Sequence, residues 1–389
     1  MTPGARFQAA IECLDAILAG APAEKVLTGW ARRSRFAGSK DRAAVRDHVY
    51  DVLRQRNSLA ALSGQPGGRG LVLGLVMSQG VNPGTIFNGE GHAPPVLEPE
   101  ELEPQETGTG YPGQALNLPD WLIPVLKRSL GDSFQDTHAA LGRRAPVYLR
   151  VNGMKSTVEQ AAALLRKGGI ETRPTTTSEL ALEVTMGARR LSQSDAYQSG
   201  LVELQDLSSQ SAMEAVPLSP GDRVLDYCAG GGGKSLALAA RVKAKFFAHD
   251  IAPRRMNDLS ARAKRAGSHI TQLDPAEVAR HAPYDTVLCD VPCSGSGTWR
   301  RDPDAKWRFD RAALDRLLAV QAEILDDTQA LVAEGGQLIY TTCSLIDEEN
   351  EWQIDRFCQR NPAWSVKEAK GWLPSGGGDG FFFARLTRN

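Results

Sequence analysis

Cysteine is scarce and unpaired in this chain of 389 residues: the six stand at 13, 228, 289, 293, 343 and 358, with no Cys-x-x-Cys spacing. Neither a disulfide framework nor a zinc or other metal site is expected, and the six are read as free thiols. Long apolar runs are missing too. The longest uncharged one, Leu71–Met77, falls far short of the roughly 20 residues that cross a bilayer, and nothing resembles a secretory signal. A cytoplasmic protein is expected. Net charge is also absent, at −1, which argues against a uniformly basic nucleic-acid coat. Locally the balance breaks: Gly70–Leu126 holds no Lys or Arg, whereas Arg32, Arg33, Arg35, Lys40, Arg42, Arg46, Arg54 and Arg56 crowd the first helical stretch. Such a face can track phosphates or simply be a solvated helix surface.

The length predicts about two or three domains. Phe7, Ile11, Leu14 and Ile17, then Val45, Val49, Val52 and Leu53, recur at helical spacing within residues 6–62 and predict a small helical bundle. From Gly64 to Gly113 that pattern gives way to Gly, Pro and Glu, which reads as a long irregular connection. Helical signal resumes at Leu118; Val147–Asn152 alternates as a strand, a helix capped by Ser156 follows, and strands are predicted over 170–173, 180–185 and 201–206. This is a compact βαβ-type module. Arg150 and Asn152, at the end of its first strand, are candidate substrate contacts, with a structural pairing as the alternative.

Beyond residue 222, strands predicted over 223–228, 245–250, 269–274, 285–290 and 336–343 alternate with helices. The fold class is therefore α/β, with a mainly parallel, doubly wound sheet whose ligand lies at the carboxyl ends of the strands. Those ends carry Asp226, Asp250, Asp274, Asp290 and Cys343, although each aspartate alone has a plain alternative as a helix cap. The chain is organised around the first of them, Asp226-Tyr-Cys-Ala-Gly-Gly-Gly-Gly-Lys-Ser235. Four glycines between a strand and a helix allow close backbone approach to a ligand. A phosphate-binding P-loop fails because Cys228 stands where its first glycine belongs, and the Gly-x-Gly-x-x-Gly dinucleotide pattern fails at Ser235. Another adenosine cofactor remains, with Asp250 placed to grip ribose hydroxyls.

Two further strand ends carry thiols in polar loops: Asp290-Val-Pro-Cys293-Ser-Gly-Ser-Gly-Thr298 and Tyr340-Thr-Thr-Cys343-Ser344. Cys293 and Cys343 are read as chemically active, and Cys13, Cys228, Cys289 and Cys358 as core. Just after the first loop come Trp299, Arg300, Arg301, Lys306, Trp307, Arg308 and Arg311. They offer cations for phosphates and indoles for stacking, or else form a covering loop packed by its tryptophans.

With these motifs in view, the sequence resembles the Sun/NSUN family of S-adenosylmethionine-dependent RNA (cytosine-5) methyltransferases. Asp226–Ser235, Asp290–Gly295 and Thr342–Ser344 match the family's Asp-x-Cys-Ala-Ala-Pro-Gly-Gly-Lys-Thr, Asp-Ala-Pro-Cys-Ser-Gly and Thr-Cys-Ser motifs, and Asp379–Arg385 its closing strand. Leu149–Asn152 and Gln205–Ser209 are further marks. The basic start resembles, more weakly, the NusB-like RNA-binding domain of the bacterial member that modifies 16S ribosomal RNA. The resemblance implies a Rossmann-like class I methyltransferase domain over 211–389, a small α+β module over 118–210 and a helical NusB-like domain with its connection over 1–117.

It further implies S-adenosylmethionine as cofactor, RNA as partner and no metal. Cys343 is then the nucleophile that adds to carbon 6 of a cytosine, and Cys293 assists release. Cys228, Ala229 and Gly230, Gly231, Gly232 and Gly233 hold the methionine end, Asp250 the ribose and Asp274 the adenine. Asp290 lies between cofactor and target, and Lys234 faces the reacting pair. RNA contacts are expected from Arg150, Asn152, Arg300, Arg301, Lys306 and Arg308, with the target cytosine single-stranded or flipped out. Gly230-Gly231 departs from the family's Ala-Pro, which predicts a looser cofactor loop. A monomer acting on 16S ribosomal RNA is expected; transfer RNA as substrate, or a non-catalytic RNA-binding or ribosome-assembly protein, are the alternatives.

Overall fold

The computed structural model describes residues 1–102 and 116–388, which fall into two units: Met1–Arg144 with Trp299–Asp310, and Ala145–Thr298 with Arg311–Asn389. In the first unit five helices make the bundle: α1 (Pro3–Leu18), α2 (Ala23–Arg33), α3 (Ser39–Arg54), α4 (Arg56–Ser63) and α5 (Gly68–Ser78). The hydroxyl of Thr2 caps α1 by accepting from the Ala5 N–H at 3.2 Å, and Pro3 fits the first turn, where its missing donor costs nothing. Leu14 on α1 and Val45, Val49 and Val52 on α3 are wholly buried, as their spacing predicts.

The expected irregular connection is corrected at its start, while its last part, 103–113, lies outside the described residues. Residues 68–78 form α5, in which Leu71, Val72, Leu73, Leu75 and Val76 are all at most 1% exposed. A helix buried on every side has no polar face and hence no amphipathic period to read. Its glycines are packing positions. A Cβ on Gly74 would stand 2.3 Å from the Leu59 carbonyl oxygen, so α4 and α5 approach closely there. The segment Trp299–Asp310 closes this unit: the Trp307 indole N–H donates to the Leu53 carbonyl at 2.7 Å, and the Asp304 carboxylate accepts from the Ala23 N–H at 3.0 Å.

The second unit opens with strands β1 (Val147–Val151), β2 (Glu171–Pro174), β3 (Ala181–Met186) and β4 (Val202–Leu204) in the order β2-β3-β1-β4, every pair antiparallel. β1 and β2, joined by helix Val158–Lys167, are therefore separated by β3, a split βαβ unit. The cap of that helix is Thr157 and not Ser156: the Thr157 hydroxyl accepts from Gln160 N–H at 3.3 Å and the Gln160 side chain bonds back at 3.1 Å.

Seven strands follow: β5 (Arg223–Asp226), β6 (Lys245–Ala248), β7 (Ile270–Gln272), β8 (Tyr284–Asp290), β9 (Val332–Thr342), β10 (Trp364–Trp372) and β11 (Phe381–Arg388). Their order is β10-β11-β9-β8-β5-β6-β7, parallel from β9 to β7 and antiparallel where β11 joins β9 and β10 joins β11. The chain runs outward from β5 through β7 and returns to β8 on the other side, so the β5–β8 boundary is the topological switch where such sheets bind ligands. β10 escapes the sequence reading because its charges and its shift in register at Val366/Glu368 blur the alternation; they also suit an edge strand.

Gly74→Ala tests the α4–α5 contact. Helix propensity alone favours alanine by up to about 1 kcal/mol, but overpacking against the Leu59 carbonyl costs about 1–3 kcal/mol. A lowered midpoint in thermal denaturation is expected, and a raised one contradicts the close approach.

Candidate active site

The loops that leave β5, β8 and β9 carry the chemistry. After β5, Gly230 and Gly232 take positive φ, +50° and +76°, and a Cβ on Gly232 would lie 2.1 Å from a Leu259 methyl. Three loop amides are already committed. Ala229 N–H donates to the His249 carbonyl at 2.8 Å, Gly232 N–H to the Ala229 carbonyl at 2.8 Å and Gly230 N–H to the Asp250 carboxylate at 3.0 Å. The loop itself is pinned from helix Leu259–Ala266, whose Arg262 guanidinium donates to the Gly231 carbonyl. Gly231 is thus tied by a neighbour where a proline ring would otherwise stiffen the chain, a restraint the sequence does not announce.

Asp250 is 1% exposed and oriented from three sides: Gly230 N–H, Ala252 N–H at 2.9 Å, and Arg255 in an ion pair at 3.2 Å. A carboxylate has about four lone-pair sites, so it retains capacity for a hydroxyl. Asp274 is exposed at the start of helix Pro275–Val278, with its N–H held by Glu277 at 3.0 Å. Asp226, by contrast, turns inward at 2% exposure. It accepts from the Ser235 hydroxyl at 2.6 Å, its other oxygen has no partner, and burial pushes its carboxyl up to about 7. Cys228 is likewise withdrawn, its thiol raised chiefly by burial. A buried acid facing a glycine loop, with an orphaned carboxylate oxygen at the loop's root, fits an adenosyl cofactor of amino-acid character.

Lys234 and Asp290 meet at 2.5 Å between the β5 and β8 loops, and Thr341 donates to the other Asp290 oxygen at 3.2 Å. Burial alone would depress Lys234; the adjacent Asp290 carboxylate, with Cys343 and Asp226 adding to it, reverses the sign and holds the ammonium above its ordinary range. Beside this pair the two loop thiols converge. Cys293 Sγ lies 3.4 Å from Cys343 Sγ. The Cys293 thiol is raised well above its ordinary value by its bond to Cys343, then by burial, then by the charges of Cys343 and Glu349.

What holds the thiol loops together is not visible in the sequence. Glu349, fully buried, accepts from Ser294 N–H at 2.8 Å, the Ser294 and Ser344 hydroxyls at 2.5 Å each and the Gln321 amide at 3.0 Å. Ser294 follows one cysteine and Ser344 the other. Ser296 adds a bond to each serine, at 3.1 Å, and Gly297 N–H donates to the Cys343 carbonyl at 2.9 Å. In sequence, Asp347-Glu-Glu-Asn-Glu351 reads as a solvated acidic run; the only signal is its position just after Cys343-Ser344.

Four of the expected RNA contacts are corrected, because their side chains are buried. Arg150, 8% exposed, donates to the Leu236 carbonyl at 2.9 Å, and burial lowers it to about 10. Asn152, 7% exposed, bonds the Ala266 carbonyl at 2.8 Å. Arg300 is buried, and Lys306 donates to the Arg54 carbonyl at 3.2 Å, with burial lowering it to about 7. Arg301 and Arg308 are exposed, Arg308 near Asp304 at 3.7 Å. Trp299 is buried 6.1 Å from the Phe309 ring, so the covering role applies to this indole.

Strand order, switch point and glycine loop together define a Rossmann-like methyltransferase domain. The family described as 16S rRNA methyltransferase RsmB/F matches residues 213–387, and the RsmF/B-like ferredoxin-like domain matches residues 118–189. The chain belongs to this RsmB/F family: it is 33% identical over 303 residues to the ribosomal RNA small subunit methyltransferase B of Xanthomonas campestris pv. campestris, covering 72% of this chain and 69% of that protein. The protein of the same name from Photorhabdus laumondii is 31% identical over 284 residues, 69% of this chain and 66% of that one. The chain thus spans about two thirds of the length of these curated relatives. The crystal structure of PH0851 superposes with a TM-score of 0.76 at 24% identity, covering 100% of this chain and 99% of that one, a likeness of fold.

Glu349→Gln turns an amide toward donors it cannot accept from fully. A stability loss of about 1–3 kcal/mol is expected for donors left unsatisfied. Removing the charge also lowers the Cys293 thiol, so its alkylation by iodoacetamide, followed by peptide mass spectrometry, should begin at lower pH than in wild type. Glu349→Asp, shorter but still charged, should lose stability without that shift.

Proposed function

We propose that this protein transfers a methyl group from S-adenosylmethionine to carbon 5 of a cytosine in 16S ribosomal RNA. The observation that carries the reading is the pair of thiols 3.4 Å apart at the ends of two neighbouring parallel strands, beside a lysine and an aspartate in contact. S-adenosylmethionine supplies an electrophilic methyl group when bound, with Asp250 on its ribose, Asp274 on its adenine and the Cys228–Gly233 loop on its methionine end. RNA as substrate and a cytoplasmic site of action are part of the same proposal, supported by family membership.

Carbon 5 of cytosine is a weak nucleophile within its aromatic ring. Cys343, as thiolate, forms a bond to carbon 6, and the ring electrons shift to carbon 5, which becomes able to take the methyl group. Lys234 presents its ammonium beside Cys343, on the side where Asp290 also lies. Asp290, fixed by Lys234 and Thr341, offers acceptor capacity to the amino edge of the base. The carbon 5 proton then leaves to a base, the Cys343–carbon 6 bond breaks, and the electron pair returns to the thiolate. Cys293, raised and hence protonated at neutral pH, lies 3.4 Å from the Cys343 sulfur, where its S–H assists this release by donating a hydrogen bond to the thiolate as the bond to carbon 6 breaks.

An RNA carrying 5-fluorocytidine tests the chemistry, because fluorine cannot leave as a proton does. With S-adenosylmethionine present, wild type should give a covalent adduct on a denaturing gel; Cys343→Ala should give none and Cys293→Ala should retain it. The reverse pattern exchanges the two roles, and no adduct in any variant overturns the cytosine-5 reading.

A further inference from the structure

The cations of the N-terminal helices divide into two sets. Arg46 pairs with Glu24, Arg54 is buried against Asp51 at 2.8 Å, and Arg56 lies over the Trp307 ring at 5.0 Å. These serve the bundle. Arg32, Arg33, Arg35, Lys40 and Arg42 are all exposed, and none forms an ion pair among the described residues. Arg35 precedes one exposed aromatic ring in the chain, and Arg33 lines the same groove as that ring. Phe36, at the tip of the α2–α3 turn, is 77% exposed, while its neighbours Ser34 and Ala37 are buried and hydrogen-bonded into the turn, Ser34 N–H to Trp30 at 2.9 Å and Ala37 N–H to Ser34 at 3.0 Å.

An exposed phenylalanine on a tethered turn is a presented ring rather than a stray core residue. The acid in the first turn of α3 is already engaged: Asp41 accepts from Arg6 at 2.8 Å, from Gly38 N–H at 3.1 Å and from the amino terminus at 3.3 Å. On one side of the turn lies a groove of about 520 Å³ lined by Trp30, Arg32, Arg42 and Arg46, and Phe36 with Arg33 lines a second groove of about 960 Å³ that also carries Glu12 and Glu90. Exposed cations on the same turn as an exposed aromatic ring match one ligand chemistry, a single-stranded polynucleotide whose phosphates meet the cations and whose unstacked base meets the ring.

We infer that the α2–α3 turn is a docking surface for single-stranded RNA, with Phe36 as a base-stacking platform and Arg32, Arg33, Arg35, Lys40 and Arg42 as its phosphate contacts. The inference rests on RNA being the substrate and adds where, and by which ring, the N-terminal unit grips it. A duplex of the same sequence keeps its bases stacked and should gain nothing from Phe36.

The test uses the full chain and a fluorescein-labelled, mixed-sequence single-stranded oligoribonucleotide, followed by anisotropy across a salt series. Phe36→Ala should weaken binding about ten-fold or more with an unchanged salt slope, and Phe36→Trp should restore it. Arg35→Ala with Lys40→Ala should reduce the slope by about 0.7 for each phosphate no longer neutralised. Wild-type affinity in Phe36→Ala overturns the stacking role, and an unchanged slope in the double variant overturns the phosphate contacts. Displacement of RNA by polyglutamate as readily as by unlabelled RNA, from wild type and Phe36→Ala alike, makes the turn a general anion surface and overturns it too. Methyl transfer by Phe36→Ala separates the two readings: activity retained with affinity unchanged sinks this inference alone, whereas a wild type that neither binds nor methylates RNA sinks the enzyme reading.

Discussion

A carboxylate shut away from water holds the two thiol loops in register. Transferring such a charge into the interior is costly, and the cost is offset only where hydrogen bonds replace the lost hydration. Glu349 obtains four, from donors on three separate segments of chain. Each hydrogen bond to a charged group contributes about 1.5–3 kcal/mol, so no segment can drift without exposing an unsatisfied charge. Ser294 and Ser344 are each the residue after a cysteine, and the 3.4 Å between the sulfurs is therefore a consequence of the carboxylate behind them. A neutral side chain of the same size supplies neither the depth of the well nor the electrostatic push on the Cys293 thiol.

The same economy of charge runs along the strand ends. A parallel sheet brings Asp226, Asp250 and Asp290 to one edge, where three anions so close would repel. Each is handled differently: Asp226 is buried with its carboxyl raised to about 7, Asp250 receives two backbone N–H groups and a guanidinium, and Asp290 shares a proton-rich contact with Lys234. Asp226 is held through Ser235 at the start of the helix after the loop, and its second oxygen stays without a partner.

Local pattern makes the parallel sheet and the glycine loop legible, because both depend on contiguous residues: an apolar strand, small residues and a helix start. Paired strand-end motifs do the same for Cys293 and Cys343. What stays hidden depends on partners distant in sequence. Helix α5 is hidden because complete burial erases the polar face that marks a helix. Glu349 is hidden because an acidic run looks solvated until Ser294, 55 residues away, is brought against it. Arg150 and Lys306 look like phosphate ligands because a cation's sequence neighbours say nothing of the carbonyl that will receive its hydrogen bond.

A net charge of −1 conceals how differently the cations are used. Arg150, Arg54 and Lys306 are buried, and each donates to a backbone carbonyl; their replacement disturbs folding before it disturbs any ligand. The five cations of the α2–α3 turn have the opposite character. Among the described residues none of them forms an ion pair, and mutual repulsion among like charges at a surface is reduced by salt or by an anionic ligand. Helix α5, apolar on all sides, makes this arrangement affordable, since the bundle's stability comes from its centre and leaves the turn free to carry charge that folding does not need.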